Sequence, residues 1–361
     1  MIKAVYIHIP FCQNICSYCD FCKLHKNEKW INDYLDELKK EIKQNYKGEK
    51  IKTLYIGGGT PSCLNIKQLE KLFTILKIFK LEKNSEVTFE ANPEDLTKEK
   101  LEFLKNKINR LSIGVQTFNQ NLLKLLERKP VNIDNIKLAK KYFKNINIDL
   151  MYNFNEETID ILKEDINTIL NLEIPHISTY SLILEPHTKL YINNYKIENE
   201  DTKNEEYINK ILQDNSYNHY EVSNYAKKGY ESNHNLTYWN NENYYGFGLG
   251  ASGYIDNVRY ENTKNITKYL KGNYKQETHI LDENETIQNE FILGFRKING
   301  INRNNFKEKY GFDVSEISII KNLVKENKLI LDKDNIFINP KYLYFSNEIL
   351  INFIDINLHK Q

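Results

Sequence analysis

Four of the chain's five cysteines fall in one run, HIPFCQNICSYCDFC, between His8 and Cys22. Cys12, Cys16 and Cys19 have the spacing C-x3-C-x2-C. Three thiolates on one tight loop can each hold one iron of a cubane cluster, which leaves the fourth iron open to a small molecule. An open iron is what separates a cluster that does chemistry from one that only stores electrons. Cys16, Cys19 and Cys22 also read as C-x2-C-x2-C, a ferredoxin-like register, but ferredoxins place a partner cysteine beside a proline and this chain has no Cys-Pro. Zinc is the alternative, since four nearby thiolates could close a tetrahedral site. Structural zinc usually draws on two separated pairs, so the cluster is the preferred reading.

The elements that must position this loop follow from periodicity. β-rich runs, KAVYIHI (3–9), IKTLYIGG (51–58), EVTFEAN (86–92), RLSIGVQ (110–116), INIDLMY (146–152) and HISTYSL (176–182), alternate with helical patterns. The helices are expected near 30–42, 66–79, 98–105 and 158–170. Such alternation predicts an α/β fold with a parallel sheet and right-handed crossovers. About six units suit an open, partial (β/α)6 barrel. Cys12, Gly57 to Gly59, Glu90, Gln116, Asp149 and Tyr180 all fall at or just beyond the predicted C-terminal strand ends. In a parallel barrel those ends share the face that carries the active site.

Beyond Tyr220 the alternation stops, giving an expected division into 1–220, a loop- and strand-rich extension over 221–282, and a small α+β module over 283–361. Helices are expected at 285–296, 303–309 and 315–325, followed by a hairpin turning at 333–335. Three helices and a hairpin resemble a winged helix, with a docking lid as the alternative. The net charge of +1 offers no basic field for nucleic acid. No apolar run is long enough for a bilayer, no leader is visible, and no strong amphipathic helix marks a membrane surface, although peripheral membrane contact stays open. The cytoplasm is the expected compartment. Thiols stay reduced there, which sets disulfides aside.

On its motifs the sequence resembles the radical S-adenosylmethionine (SAM) superfamily. The triad Cys12, Cys16 and Cys19 matches the cluster loop, with the aromatic Tyr18 before the third cysteine, and GGGTP (57–61) matches the second signature. Over almost the whole chain it resembles the coproporphyrinogen-III-oxidase-like branch, through YIHIPFC, GGGTPS, EANPEDL, RLSIGVQTF, NIDLMY, HISTYSLILEP and YEVSNYA in order. That branch holds oxygen-independent coproporphyrinogen III dehydrogenases and heme chaperones of the HemW type. Three features favour the chaperones. Phe21 stands where the dehydrogenase pattern has a further cysteine, the chain begins only five residues before Tyr6, and HNLTYW (234–239) matches an HNxxYW heme-handling motif.

The resemblance implies a [4Fe-4S] cluster on Cys12, Cys16 and Cys19. It implies SAM surrounded by Tyr6, Tyr18, Gly58, Gly59, Thr60, Glu90, Gln116, Arg128 and Asp149. Glu90 and Asp149 can accept hydrogen bonds from ribose hydroxyls or the methionine ammonium, and Arg128 can pair with its carboxylate. His234 becomes the candidate axial ligand of heme. Expected partners are heme, client hemoproteins and an electron donor such as flavodoxin or ferredoxin. The competing reading is a coproporphyrinogen III dehydrogenase, or another radical SAM enzyme acting on a tetrapyrrole; no catalytic residue is assigned for it. Three stretches depart from the branch pattern: NFNEET (153–158) replaces GLPGQT, ERKP (127–130) replaces GRxH, and EPHT (185–188) replaces EPGT. They put the loop geometry around SAM in question. Cys22 and Cys63 are extra thiols, and Cys63 is expected to be a small buried residue.

Overall fold

The computed structural model describes residues 2–197 and 202–354. The alternation resolves into β1 (Ala4–Ile9), α1 (Glu28–Asn45), β2 (Lys50–Gly58), α2 (Ile66–Leu76), β3 (Lys80–Ala91), α3 (Lys98–Leu104), β4 (Arg110–Gln116), α4 (Ile133–Lys140), β5 (Asn145–Tyr152), α5 (Ile159–Asn171) and β6 (His176–Ser181). The six strands lie side by side in that order and all pair in parallel. Each helix starts where an Asn or Thr side chain accepts the backbone N–H that has no partner within the helix. Asn27 caps α1, Asn65 caps α2 with Gln68 completing a capping box, and Thr158 caps α5. α1 buries Ile31, Leu35, Leu38 and Ile42, an apolar stripe at helical spacing that packs on the sheet.

The alternation does not end at Tyr220. Residues 221–282 extend the sheet on both sides. β7 (Asn218–Glu221) and β8 (Asn224–Ala226) add antiparallel strands beyond β6. The chain then crosses under the barrel through α6 (Asn233–Trp239). It returns as β9 (Tyr244–Phe247), parallel to β1, and continues as the antiparallel run β10 (Ser252–Ile255), β11 (Val258–Asn262) and β12 (Lys275–Ile280). Among the described residues this makes one open sheet of twelve strands, with β12 and β7 at its edges. Tyr245, Phe247, Leu249 and Tyr269 join the same core as the barrel strands. The supposed extension is thus part of the main body. Strands were expected there, but their pairing with β1 and β6 was not, because they are short and rich in glycine and polar residues.

A second core, from Ile287 to Phe353, is built by α7 (Glu283–Gly294), β13 (Ile301–Asn302), α8 (Arg303–Tyr310), α9 (Ser318–Lys325), β14 (Leu329–Leu331) and β15 (Asn335–Ile338). The strands form a small antiparallel sheet in the order β13-β15-β14, with α7, α8 and α9 packed around it. Residues 355–361 of the expected module lie outside the described residues. Two backbone bonds join this module to the barrel's edge: Val222 N–H to Arg296 O at 2.8 Å and Ile298 N–H to Tyr220 O at 3.2 Å. Among the described residues no helix is long and apolar enough to cross a membrane.

Candidate functional site

The cysteine loop leaves β1 and is pinched shut at its base. Leu24 N–H bonds Pro10 O at 2.6 Å and Lys26 N–H bonds Cys12 O at 2.8 Å. Its tip is held by Ser17, whose N–H donates to Leu126 O and whose carbonyl accepts from Leu190 N–H. Beneath it lies a small apolar cluster of Leu122, Leu126, Met151, Phe154, Leu182 and Leu190. The loop covers a cavity of about 260 Å³ at the C-terminal ends of the strands. Cys12, Cys16, Cys19, Tyr18, Gly58, Gly59, Thr60, Glu90, Gln116, Arg128 and Asp149 all line it, so residues spread over β1 to β5 meet in one place. Tyr6 does not reach it. Its hydroxyl bonds His8 Nδ1 at 3.0 Å and its ring lies against Tyr55, one layer behind the lining.

The donor set fits a cubane cluster. Among the described residues no three His, Cys, Asp or Glu side chains converge on a point where one metal ion would sit. A cubane needs no such point, because each thiolate takes its own iron. Burial pushes the Cys12 thiol up to about 11 and the Cys19 thiol above its ordinary value. Cys16 Sγ accepts from Arg128 Nη1 at 3.4 Å, and Cys12 Sγ from the Thr60 hydroxyl at 3.5 Å. Cys22 does not line the cavity; it packs against Gly250 on the far side of the loop. That separation removes both the C-x2-C-x2-C register and the four-thiol zinc site. Cys63 is buried, its thiol donating to Phe11 O at 3.3 Å.

The glycine triplet is required by the protein's own packing as well as by any ligand. A Cβ on Gly57 would sit 2.8 Å from the Glu90 carboxylate, and one on Gly59 would meet Pro10 backbone at 2.8 Å and Cys12 Sγ at 2.9 Å. Gly58 has φ +119°, and a Cβ there would lie 2.7 Å from the His8 ring. Its N–H donates to Glu90 Oε2 at 2.9 Å, while the Tyr55 hydroxyl donates to Oε1 at 2.7 Å. Burial, with Asp149 nearby, still raises Glu90 to about 7. Asp149 is raised by burial too, and it accepts from Asn147 Nδ2 at 2.7 Å. Arg128 is held by Asn92 Oδ1 at 2.9 Å and Gly114 O at 2.5 Å through Nη2. Its Nη1 makes only 3.4 Å contacts, to Cys16 and Tyr18.

Two of the four residues that replace a glycine of the branch pattern take a left-handed backbone, while Glu156 and His187 do not. Asn153, in place of a glycine, has φ +67°, and Glu127, in place of another, has φ +54°. Asn tolerates this left-handed region better than most residues. Glu127 is tied down by Lys189 Nζ at 2.5 Å. Gln116 also adopts φ +71°, at a register shift between β4 and β5, where it lines the cavity at the strand's end.

His234 needs correction. It lies on α6, not in a loop, and only 1% of it is exposed. Nδ1 is 2.9 Å from the Thr53 hydroxyl, Nε2 is 2.8 Å from the Tyr238 hydroxyl, and the ring stacks on Tyr55 at 5.1 Å. Both nitrogens are therefore engaged, and the side chain lines neither this cavity nor the larger cleft beside it. In this arrangement it offers no lone pair to iron. Burial lowers it to about 3, so it stays neutral. The helix is fixed by Glu86, which accepts from Asn233 N–H at 2.9 Å and His234 N–H at 3.1 Å. Through Tyr55 the motif abuts the group that holds Glu90. A second chain of side chains, Tyr220–His176–Asn147, rises to Asp149 with contacts of 2.7, 2.6 and 2.7 Å. Tyr55 and Asn92 line the cavity and were missed as site residues, Tyr55 because an aromatic inside a strand reads as core and Asn92 because an asparagine after a strand reads as a turn. Their signal is position, at the strand ends.

The Radical SAM superfamily model matches residues 6–169, which contain the cysteine loop and the glycine triplet. The chain is 40% identical over 375 residues to a protein of Lactococcus lactis named "Heme chaperone HemW", covering 98% of each. It is 37% identical over 376 residues to the Bacillus subtilis protein of the same name, covering 98% of this chain and 99% of the relative. In fold it is similar to the coproporphyrinogen III oxidase HemN of Escherichia coli, with a TM-score of 0.83 and 20% identity over 98% of this chain and 90% of that one. With relatives of this similarity matched from end to end, the chain belongs to the HemW family of radical SAM proteins.

Proposed function

We propose that this protein is a heme carrier: it takes up heme and passes it to client hemoproteins, with a [4Fe-4S] cluster and SAM at the barrel mouth. The full-length similarity to heme chaperones carries the reading. Phe21 supports it, being 69% exposed where a dehydrogenase pattern has another cysteine. Cys12, Cys16 and Cys19 would hold three irons and leave the fourth for SAM. Bound together, cluster and SAM supply a redox-active centre shielded from water. The chain's own residues do the positioning. Gly59 leaves room beside Cys12, Glu90 and Asp149 would accept hydrogen bonds from ribose hydroxyls or the ammonium group, and Arg128 would pair with the carboxylate. The setting is the cytoplasm, where thiols stay reduced and a flavodoxin or ferredoxin can serve as electron donor.

The test uses anaerobically reconstituted full-length protein, loaded with heme and mixed with a panel of apo-hemoproteins. Stoichiometric heme uptake and its transfer to an acceptor, with coproporphyrinogen III left unchanged in the presence of SAM and reductant, are the expected results. Protoporphyrinogen formed with consumption of SAM would replace this reading with that of a dehydrogenase.

A further inference from the structure

Lys23 lines the mouth cavity and has no part in the arrangement described so far. It is half-buried, four residues past Cys19. Its neighbours in the chain are tied back to β1 and Pro10: His8 Nε2 donates to Cys22 O at 2.7 Å, and Leu24 N–H donates to Pro10 O at 2.6 Å. With both flanks fixed, the side chain leans over the loop's own backbone, where Nζ donates to Cys19 O. That bond uses one of the three ammonium N–H groups and leaves two. Among the described residues Lys23 forms no ion pair, so its charge is not neutralised locally. The charge reaches the sulfurs of Cys12, Cys19 and Cys22. Arg128, the cation on the other side of the cavity's lining, faces Cys16 instead.

Resting on the cluster reading above, we infer that Lys23 is the cluster's fixed countercharge, setting the potential at which the centre accepts an electron from an external donor, a low-potential flavin or iron–sulfur protein. One electron moves: the donor is oxidised, the cluster is reduced, and no bond forms or breaks. The added electron arrives beside three thiolates, Glu90 and Asp149, so a positive charge held at the loop favours the reduced state. Cluster potentials follow net charge, hydrogen bonds to sulfur and solvent exposure, and Lys23 acts on the first of these. A lysine ammonium is a compact point charge, whose attraction depends on distance and not on a matched fork of donors. A second cation at this position can therefore replace it, and a neutral amide cannot.

The test separates the charge from the tie to Cys19 O. Lys23→Gln keeps a side-chain donor for that carbonyl and drops the charge, whereas Lys23→Arg keeps both. Full-length protein and the two variants are reconstituted anaerobically and titrated with dithionite and mediators in the absence of SAM, with absorbance and electron paramagnetic resonance following the reduced cluster. Lys23→Gln is expected to make reduction about tenfold less favourable, a shift of about 59 mV to lower potential for a one-electron couple, with iron content unchanged. Lys23→Arg is expected to stay at the parent potential. A Lys23→Gln protein with a full cluster at the parent potential overturns the proposal and leaves Lys23 as a tie for the loop. A cluster lost in Lys23→Gln and kept in Lys23→Arg overturns it too, making the residue one of assembly. A parent that takes up no cluster overturns the cluster reading itself.

Discussion

The barrel's two ends are both polar inside, yet they differ in kind. At the mouth, Glu90, Asp149, Arg128 and three thiols surround an open cavity. At the floor, Thr53, Glu86, Arg110, His176 and His234 are as buried as any leucine, and both histidines have each ring nitrogen engaged by a neighbour. Polarity alone therefore does not mark a site. What marks the mouth is space together with groups whose hydrogen-bonding capacity is not used up. At the floor both histidines are saturated by their neighbours, although the buried Arg110 Nε has no hydrogen-bond partner, and two chains of contacts end on the two mouth carboxylates.

The sharpest way to break this contrast is at the thiols. Cys12→Ser or Cys19→Ser should abolish the cluster, read as iron content and absorbance after reconstitution. Cys22→Ser should keep it, and its loss in that variant would put Cys22 at the mouth after all. Next in size, Gly58→Ala forces a side chain into a left-handed backbone and onto the His8 ring, at about 3–4 kcal/mol in chemical denaturation, with SAM binding lost. His234→Ala tests the floor. Removing partners of Thr53 and Tyr238 should cost about 2–3 kcal/mol of stability while heme affinity holds. Heme lost with stability intact would make the residue a ligand and the contrast false.

The smallest expected effect concerns Glu90. Its folded value near 7 lies above the ordinary carboxylate range, so its contribution is fully present below about pH 4 and is lost as pH rises through 7. Glu90→Gln should therefore gain stability relative to the parent by about 2 kcal/mol between pH 5 and 7. Melting curves of the cluster-free proteins across that window measure it. A parallel pH dependence in both would show that the carboxyl is not buried as described.

Much of the mouth was legible because its chemistry sits on strongly periodic strands. RLSIGVQ coincides with β4, and Glu90 and Asp149 stand out as acids inside apolar runs. The floor was not legible. HNLTYW lies within a seven-residue helix whose polarity suggested a loop, and its partners Thr53 and Glu86 are distant in sequence. Nor does a residue letter reveal backbone sign: Asn153 and Glu127 stand where glycine is expected and still take the left-handed turn, Glu127 with the help of an ion pair from Lys189.

The sheet never closes. A sealed barrel has its girth fixed by strand number and stagger, but among the described residues β7 and β12 are the outermost strands and do not pair with each other, and β7 is met instead by the C-terminal module. Curvature is then a soft coordinate, as in a split ring that can be sprung open without breaking any joint. The edge that would travel furthest is β7, which is bracketed to the C-terminal module through Val222 and Arg296. Small changes in twist summed across the strands from β1 to β6 arrive there as a displacement. The seam between β7 and the module is itself a continuation of the sheet's own hydrogen bonding.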